Sequence, residues 1–251
     1  MLEPLLTAVA AVRSVAAYVL VSVYVLVVGP PGIVIALLTG RPWLLYWLGR
    51  QGVRLGLTTV GIRYRVAGGD HVDRERASVY SVNHASNLEP PVVYLALAAV
   101  HPKLKILYKA EIHKIPVLST VFDTAGFVSI QRRNREQSRQ AIDAAAASLR
   151  AGNSFLIFPE GTRSRTGELL PFKKGGFVMA DRGRAVIVPM TILGTRQAMR
   201  RGSPIIRPVT VTVRIGAPIV PSSFESGPRD AVIQATRGAM IDLLAVGPLE
   251  R

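Results

Sequence analysis

Between Arg13 and Arg41 the chain carries no charged residue, and the intervening run reads SVAAYVLVSVYVLVVGPPGIVIALLTG. A helix that crosses a bilayer needs about 20 mainly apolar residues, and a helix that is apolar all round has to meet lipid or be buried on every side. The GPPG at 29–32 predicts a break into two limbs, residues 5–28 and 33–57. Past Arg41 the second limb turns amphipathic, with Trp43, Leu44, Trp47 and Leu48 at helical spacing beside Arg50 and Arg54. Tryptophans with arginines nearby suit the headgroup level of a bilayer. The expected structure is a helical hairpin over residues 1–57, embedded in the membrane by dipping into one leaflet or spanning once. A cleaved signal peptide fits less well, because Glu3 and Arg13 lie at its start and VVGPPG is a poor cleavage site. Arg41, Arg50, Arg54, Arg63 and Arg65 follow the limbs, so the positive-inside rule places the remainder on the cytoplasmic face of the cell membrane.

Residues 58–251 have a different texture. Short runs rich in Val, Ile and aromatics predict strands at GIRYRVA, SVYSVN, LKILYK, GFVSIQ, SFLIFP, AVIVPMTIL and PVTVTVRIG. Helical patterns fall over 91–100, 136–151, 176–182 and 226–244. Strands alternating with helices predict a single α/β domain with a largely parallel or mixed central sheet flanked by helices. The chain carries 31 Lys and Arg against 16 Asp and Glu, a formal charge of +15. That excess calls for an anionic partner: nucleic acid, anionic lipid, or a phosphorylated or acidic substrate. The absence of cysteine removes disulfides, thiolate nucleophiles and Cys-based zinc sites. His71, His101 and His113 have no metal-ligand spacing, so no metal is expected.

In open α/β sheets, ligands bind past the carboxyl ends of strands, and three polar stretches fall there. The first is VNHASNLEPP at 82–91. On a regular helix, residues five apart sit roughly 140° from one another, so His84 and Glu89 meet only if the backbone between them turns. Asn83, Ser86 and Asn87 favour such a turn, and Pro90 and Pro91 suit the first turn of a helix that follows. A carboxylate on one ring nitrogen would fix the tautomer of His84 and leave the other to take a hydroxyl proton. The second stretch is FPEGTRSRTGELLPFKKGG. Here Gly161 and Thr162 permit a tight turn with exposed N–H groups, Arg163 supplies a planar fork for phosphate, and Glu160 either binds a hydroxyl or holds Arg163. The third, GFVSIQRR, puts Arg132 and Arg133 at another strand end. One base with two arginine clusters reads as a site for a phosphorylated alcohol. The basic connection TRQAMRRGSPIIR reads as solvated surface.

These stretches together resemble a known family. NHASNLE resembles the first motif, Asn-His-x-Ser-x-x-Asp, of the glycerolipid acyltransferases that acylate 1-acyl-glycerol 3-phosphate. GFVSIQR is similar to their second motif, FPEGTRS to the third and VIVPMTI to the fourth, in the family's order over residues 83–192, with KAEIHKIP ahead of the second. The resemblance implies a bacterial-type membrane acyltransferase that makes phosphatidic acid from an acyl thioester. By the same resemblance, His84 is the general base and Glu89 orients it. Arg132, Glu160, Gly161, Thr162 and Arg163 hold the glycerol phosphate, Lys109 adds a phosphate ligand, and Val188 and Pro189 line the acyl-donor side. The resemblance implies no cofactor beyond acyl-CoA or acyl carrier protein as co-substrate. It implies a lysophospholipid acceptor and an anionic membrane surface as partners, and no nucleic acid. The chain departs from the pattern with Glu89 where Asp is usual, and with Ser129 and Gln131 in the second motif. The readings set against this one are a tethered nucleic-acid binder, a non-catalytic lipid-binding protein, and an acyltransferase for another lysophospholipid, glycerol 3-phosphate or a glycolipid.

Overall fold

The computed structural model describes residues 2–115, 117–131, 134–221 and 230–249. Two helices lead: α1 (Leu2–Thr39) and α2 (Trp43–Thr59). They pair as a hairpin, with the turn three residues long at Gly40–Pro42. Gly40 takes φ +64°, the left-handed conformation that ends helices, and Pro42 follows where a proline cannot continue one. The break expected at GPPG is therefore misplaced, because α1 runs through Pro30 and Pro31 without interruption. The glycines there serve close packing instead. A Cβ at Gly29 would stand 2.8 Å from Val117, and one at Gly32 would stand 2.6 Å from Leu48 of α2. Proline's φ is compatible with a helix, so the motif makes a contact surface without a turn. By length and composition α1 can cross a membrane, and Leu5, Val12, Val19, Leu26 and Leu38 along it are exposed.

The remaining chain forms β1 (Arg63–Ala67), β2 (Ser78–Val82), α3 (Glu89–Ala96), β3 (Leu104–Lys109), α4 (Leu118–Thr124), β4 (Val128–Ile130), α5 (Arg135–Arg150), β5 (Ser154–Ile157), α6 (Gly175–Gly183), β6 (Val186–Leu193), α7 (Thr195–Ala198), β7 (Thr210–Ile215) and α8 (Asp230–Ala245). All seven expected strands are present, in the sheet order β1-β7-β6-β2-β5-β3-β4. The five strands from β6 to β4 are mutually parallel, β7 is antiparallel to β6, and β1 is parallel to β7. The sheet is thus mixed. The helix expected over 91–100 starts at Glu89 and tightens into a 3₁₀ turn at Ala98–Val100. The first residues of the helix expected over 226–244 lie outside the described residues, and the sequence reading contains neither α4 nor the short α7.

Period-two alternation sorts the strands between two faces. Tyr80, Val82, Leu156, Val188 and Met190 pack with Val92 and Val93 of α3 and with Ala17 and Leu57 of the hairpin. Val79, Phe155, Ile157 and Ile187 pack on the other side against Leu149, Phe177 and Ile233 of α5, α6 and α8. The hairpin thus contributes side chains to the same core as the sheet. Tyr46 of α2 strengthens the joint by donating its hydroxyl to the Leu104 carbonyl at 2.7 Å.

Candidate active site

Because β2, β3, β4, β5 and β6 run the same way, their carboxyl ends share one edge. His84 follows β2, Glu160–Arg163 follow β5, Lys109 ends β3, and Thr195 lies just past β6. The turn after β2 is built by Asn83, whose side chain donates to the Ile192 carbonyl at 3.1 Å and accepts from the Ile192 N–H at 2.7 Å. It is finished by Ser86, whose hydroxyl donates to the Met199 carbonyl at 3.0 Å. Ser86 is buried and engaged, in keeping with a structural role.

That turn brings Glu89 back to His84, with Glu89 Oε2 2.6 Å from Nδ1. Glu89 is wholly buried in the first turn of α3, with Pro90 and Pro91 after it. Its oxygens also accept the N–H groups of Ala85 (2.8 Å) and Ser86 (2.9 Å) and the hydroxyl of Thr195 (2.9 Å). Facing an acceptor-only carboxylate, Nδ1 carries the proton and Nε2 keeps its lone pair. The imidazole stacks on Phe158 with ring centroids 4.2 Å apart, and its side chain stays 18 % exposed. A ring fixed on one edge and one face, with part of its side chain still exposed, has the chemistry of a general base.

Glu160 does not reach outward. It is 2 % exposed; Oε1 accepts the His84 backbone N–H at 2.6 Å and Oε2 accepts the Leu170 N–H at 2.9 Å. Burial raises its pKa above the usual carboxylate value, opposed by those two backbone donors. The acid therefore staples the third motif to the catalytic turn. A second staple is the Ser164 N–H, which donates to the His84 carbonyl at 2.7 Å. Glu160→Ala would leave two half-buried donors without this acceptor. We expect it to cost about 2–5 kcal/mol of stability in denaturant unfolding, with Glu160→Gln recovering part.

Gly161 adopts φ +69°, which shapes the turn, and its N–H donates to the Phe158 carbonyl at 3.0 Å. Thr162 is exposed and Arg163 half-buried, and among the described residues no carboxylate pairs with the Arg163 guanidinium. Lys109 stands at the same edge but is exposed and paired with Glu111 at 2.9 Å. Arg132 lies outside the described residues. Val188 and Pro189 sit inside β6, paired in register with Tyr80 and Ser81, and Val188 is 0 % exposed within the core. Neither lines the apolar cavity under the hairpin.

That cavity measures about 460 Å³ and lies between the hairpin and the catalytic edge. Val21 and Val25 of α1, Gly52 and Val53 of α2, and Phe122 of α4 form its walls, together with Leu88, Pro90 and Pro91, which flank Glu89 in the chain. Sequence reasoning names Asn83 as a turn former and Phe158 only as part of the third motif, and it gives Thr195 no role in the site.

A family model described as Acyltransferase matches residues 63–193, just over half of the chain. The chain is 34 % identical over 194 residues to the 1-acyl-sn-glycerol-3-phosphate acyltransferase of Limnanthes douglasii, covering 75 % of this chain and 67 % of that protein. It is 33 % identical over 168 residues to the protein of the same name from Cocos nucifera, covering 66 % of this chain and 54 % of that one. With the Borreliella burgdorferi protein of that name it shares 30 % identity over 146 residues, 58 % of this chain and 57 % of the other. The chain thus spans between about half and two thirds of these relatives. The crystal structure of the 1-acyl-sn-glycerophosphate (LPA) acyltransferase PlsC from Thermotoga maritima superposes with a TM-score of 0.80 over 96 % of this chain and 98 % of that one, at 21 % identity, which establishes a shared fold. The motifs, the extent of the family match and the relatives agree: the chain belongs to the acyltransferase family.

Proposed function

We propose that the protein transfers an acyl chain from an acyl thioester to the sn-2 hydroxyl of 1-acyl-glycerol 3-phosphate, giving phosphatidic acid. The donor is acyl-CoA or acyl carrier protein, and the hairpin holds the site at the cytoplasmic face of the membrane. The observation that carries this reading is the 2.6 Å contact between His84 Nδ1 and Glu89, on the sheet edge that also carries Arg163.

His84 Nε2 takes the proton as the acceptor oxygen attacks the thioester carbonyl, and the imidazolium so formed is stabilised by Glu89. The new C–O bond produces a tetrahedral oxyanion, for which backbone N–H groups near the third or fourth motif are candidates. Collapse breaks the C–S bond, and the departing thiolate recovers the proton from His84. No acyl-enzyme is needed, and Arg163 holds the phosphate away from the reacting oxygen. The apolar cavity accepts an acyl chain, because its walls come from the lipid-facing hairpin and include Leu88, Pro90 and Pro91, the chain neighbours of Glu89.

The test is acyl transfer by the full chain in detergent, with products identified by mass. 1-Acyl-glycerol 3-phosphate should be acylated faster than glycerol 3-phosphate or lysophosphatidylcholine. Equal rates on all three would remove the phosphomonoester from the recognition. The cavity makes its own prediction. Val25→Phe adds a ring to its wall and should shift the preferred chain toward shorter lengths, read as the ratio of kcat/KM values across a donor series. An unchanged ratio would place the acyl chain elsewhere.

A further inference from the structure

The basic connection TRQAMRRGSPIIR, residues 195–207, is a strap across the site. At one end the Thr195 hydroxyl binds Glu89 at 2.9 Å. Four residues on, the Met199 carbonyl accepts the Ser86 hydroxyl at 3.0 Å. Next, Arg201 Nη1 donates to the Arg163 carbonyl at 2.9 Å. At the far end, the Ile206 N–H donates to Ser14 Oγ at 2.8 Å and the Pro204 carbonyl accepts the Tyr18 hydroxyl at 2.7 Å, both on α1. One segment therefore touches the positioning acid, the catalytic turn, the third-motif arginine and the apolar helix.

The electrostatics of this strap need an explanation. The Arg201 guanidinium is held against the backbone of Arg163, so the third-motif turn carries two permanently charged arginines. Among the described residues neither is paired with a carboxylate. Arg196 adds to the same sign, its Cδ lying 3.4 Å from where a Cβ of Gly167 would be. Like charges gathered without a counter-ion repel one another, and a dianion shared between two forks reverses the sign of that interaction. The tether uses one of Arg201's five N–H donors, and the others can serve an anion.

Resting on the acceptor proposed above, we infer that Arg201 is a second ligand of the acceptor's phosphomonoester. It shares the group with Arg163 and selects acceptors whose phosphate is unesterified. A phosphate diester carries one negative charge and gains less from two forks than a monoester dianion does. The strap's anchors on α1, at Pro204 and Ile206, tie the segment that carries this arginine to the helix from which a lysolipid would arrive.

The test compares full-chain wild type with Arg201→Ala, Arg201→Gln and Arg201→Lys in mixed micelles. Arg74→Ala, in the loop before β2 at the opposite end of the parallel strands, controls for loss of charge in general. We expect Arg201→Ala and Arg201→Gln to raise the acceptor KM about tenfold, with kcat and the donor KM within twofold of wild type. Arg201→Lys should recover part of the loss, and Arg74→Ala should change nothing. Glutamine retains a donor for the Arg163 carbonyl, so an effect of Arg201→Ala that Arg201→Gln lacks would assign the arginine to the tether and overturn the inference. So would an unchanged acceptor KM, or a rise confined to the donor KM. Binding to phosphatidylglycerol vesicles separates the other source of phosphate. If Arg201→Ala weakens that binding in step with KM, the ligand is the bulk headgroup and the inference falls. A wild-type protein that does not acylate 1-acyl-glycerol 3-phosphate would defeat the acceptor assignment itself, before any variant is compared.

Discussion

His84→Ala should lower kcat for acyl transfer by about 100- to 10,000-fold, the span that general-base catalysis contributes, while the protein remains folded. Both halves follow from the geometry. Among the described residues the ring makes one polar contact, to Glu89, and one stacking contact, to Phe158. Removing it leaves Glu89 bound to the Ala85 and Ser86 N–H groups and the Thr195 hydroxyl, so the buried acid keeps three donors. The backbone at residue 84 is also held independently of its side chain, by Glu160 at its N–H and Ser164 at its carbonyl. The turn therefore survives, and the missing function is proton removal from the acceptor hydroxyl. Single-turnover acyl transfer beside a denaturant unfolding curve separates the two halves. A loss below tenfold in a folded variant would show that the acceptor is deprotonated by something else. Acceptor KM should change little, because the ring is asked to act on the transition state more than on bound lysolipid.

What could be read from the sequence was whatever depends on near neighbours along the chain. Each strand alternates or runs apolar within a few residues, and all seven were visible. The turn that folds Glu89 back on His84 was visible too, since the two are five apart and the turn formers and prolines lie between and just after them. Contacts between distant segments had no such signature. Glu160 binds the N–H of a residue 76 positions earlier, and Thr195 binds an acid 106 positions away. Nothing local distinguishes either from an ordinary surface glutamate or a threonine opening a helical turn. The basic strap reads as solvated surface for the same reason, because arginines around a glycine look alike whether they face water or a site. GPPG failed differently. Glycine and proline commonly mark turns, but the same residues allow close helix packing, and the neighbours that decide, Val117 and Leu48, are supplied by tertiary structure. Val188 and Pro189 were assigned by motif alone, and period-two alternation along β6 puts them in the sheet interior, with Val188 on the face under α3.

Glu89→Gln should be nearly as damaging as loss of the histidine, on the order of 1,000-fold or more in kcat, by analogy with amidation of the acid in a serine-protease triad. Glutamine has almost the same shape but replaces one acceptor oxygen with a donor. In the native site every group facing that carboxylate is a donor: two backbone N–H groups, the Thr195 hydroxyl and Nδ1 of His84. An amide NH₂ placed against the backbone or the hydroxyl loses hydrogen bonds at a wholly buried position, costing about 1–3 kcal/mol. Placed against the imidazole, it favours the tautomer protonated at Nε2, and the lone pair that should receive the acceptor's proton is gone. Glu89→Asp poses the opposite problem, keeping the charge and shortening the reach by about 1.5 Å, one C–C bond. The aspartate cannot hold Nδ1 and both N–H groups from the same place on α3 unless the turn moves with it. A misplacement of that size costs about 100-fold where orientation matters, so its activity should fall between wild type and the glutamine variant. The order Glu, Asp, Gln is the discriminating result. If Gln matched Asp or exceeded it, reach would matter and tautomer control would not, and the acid would be a spacer for the turn instead of the group that prepares the base.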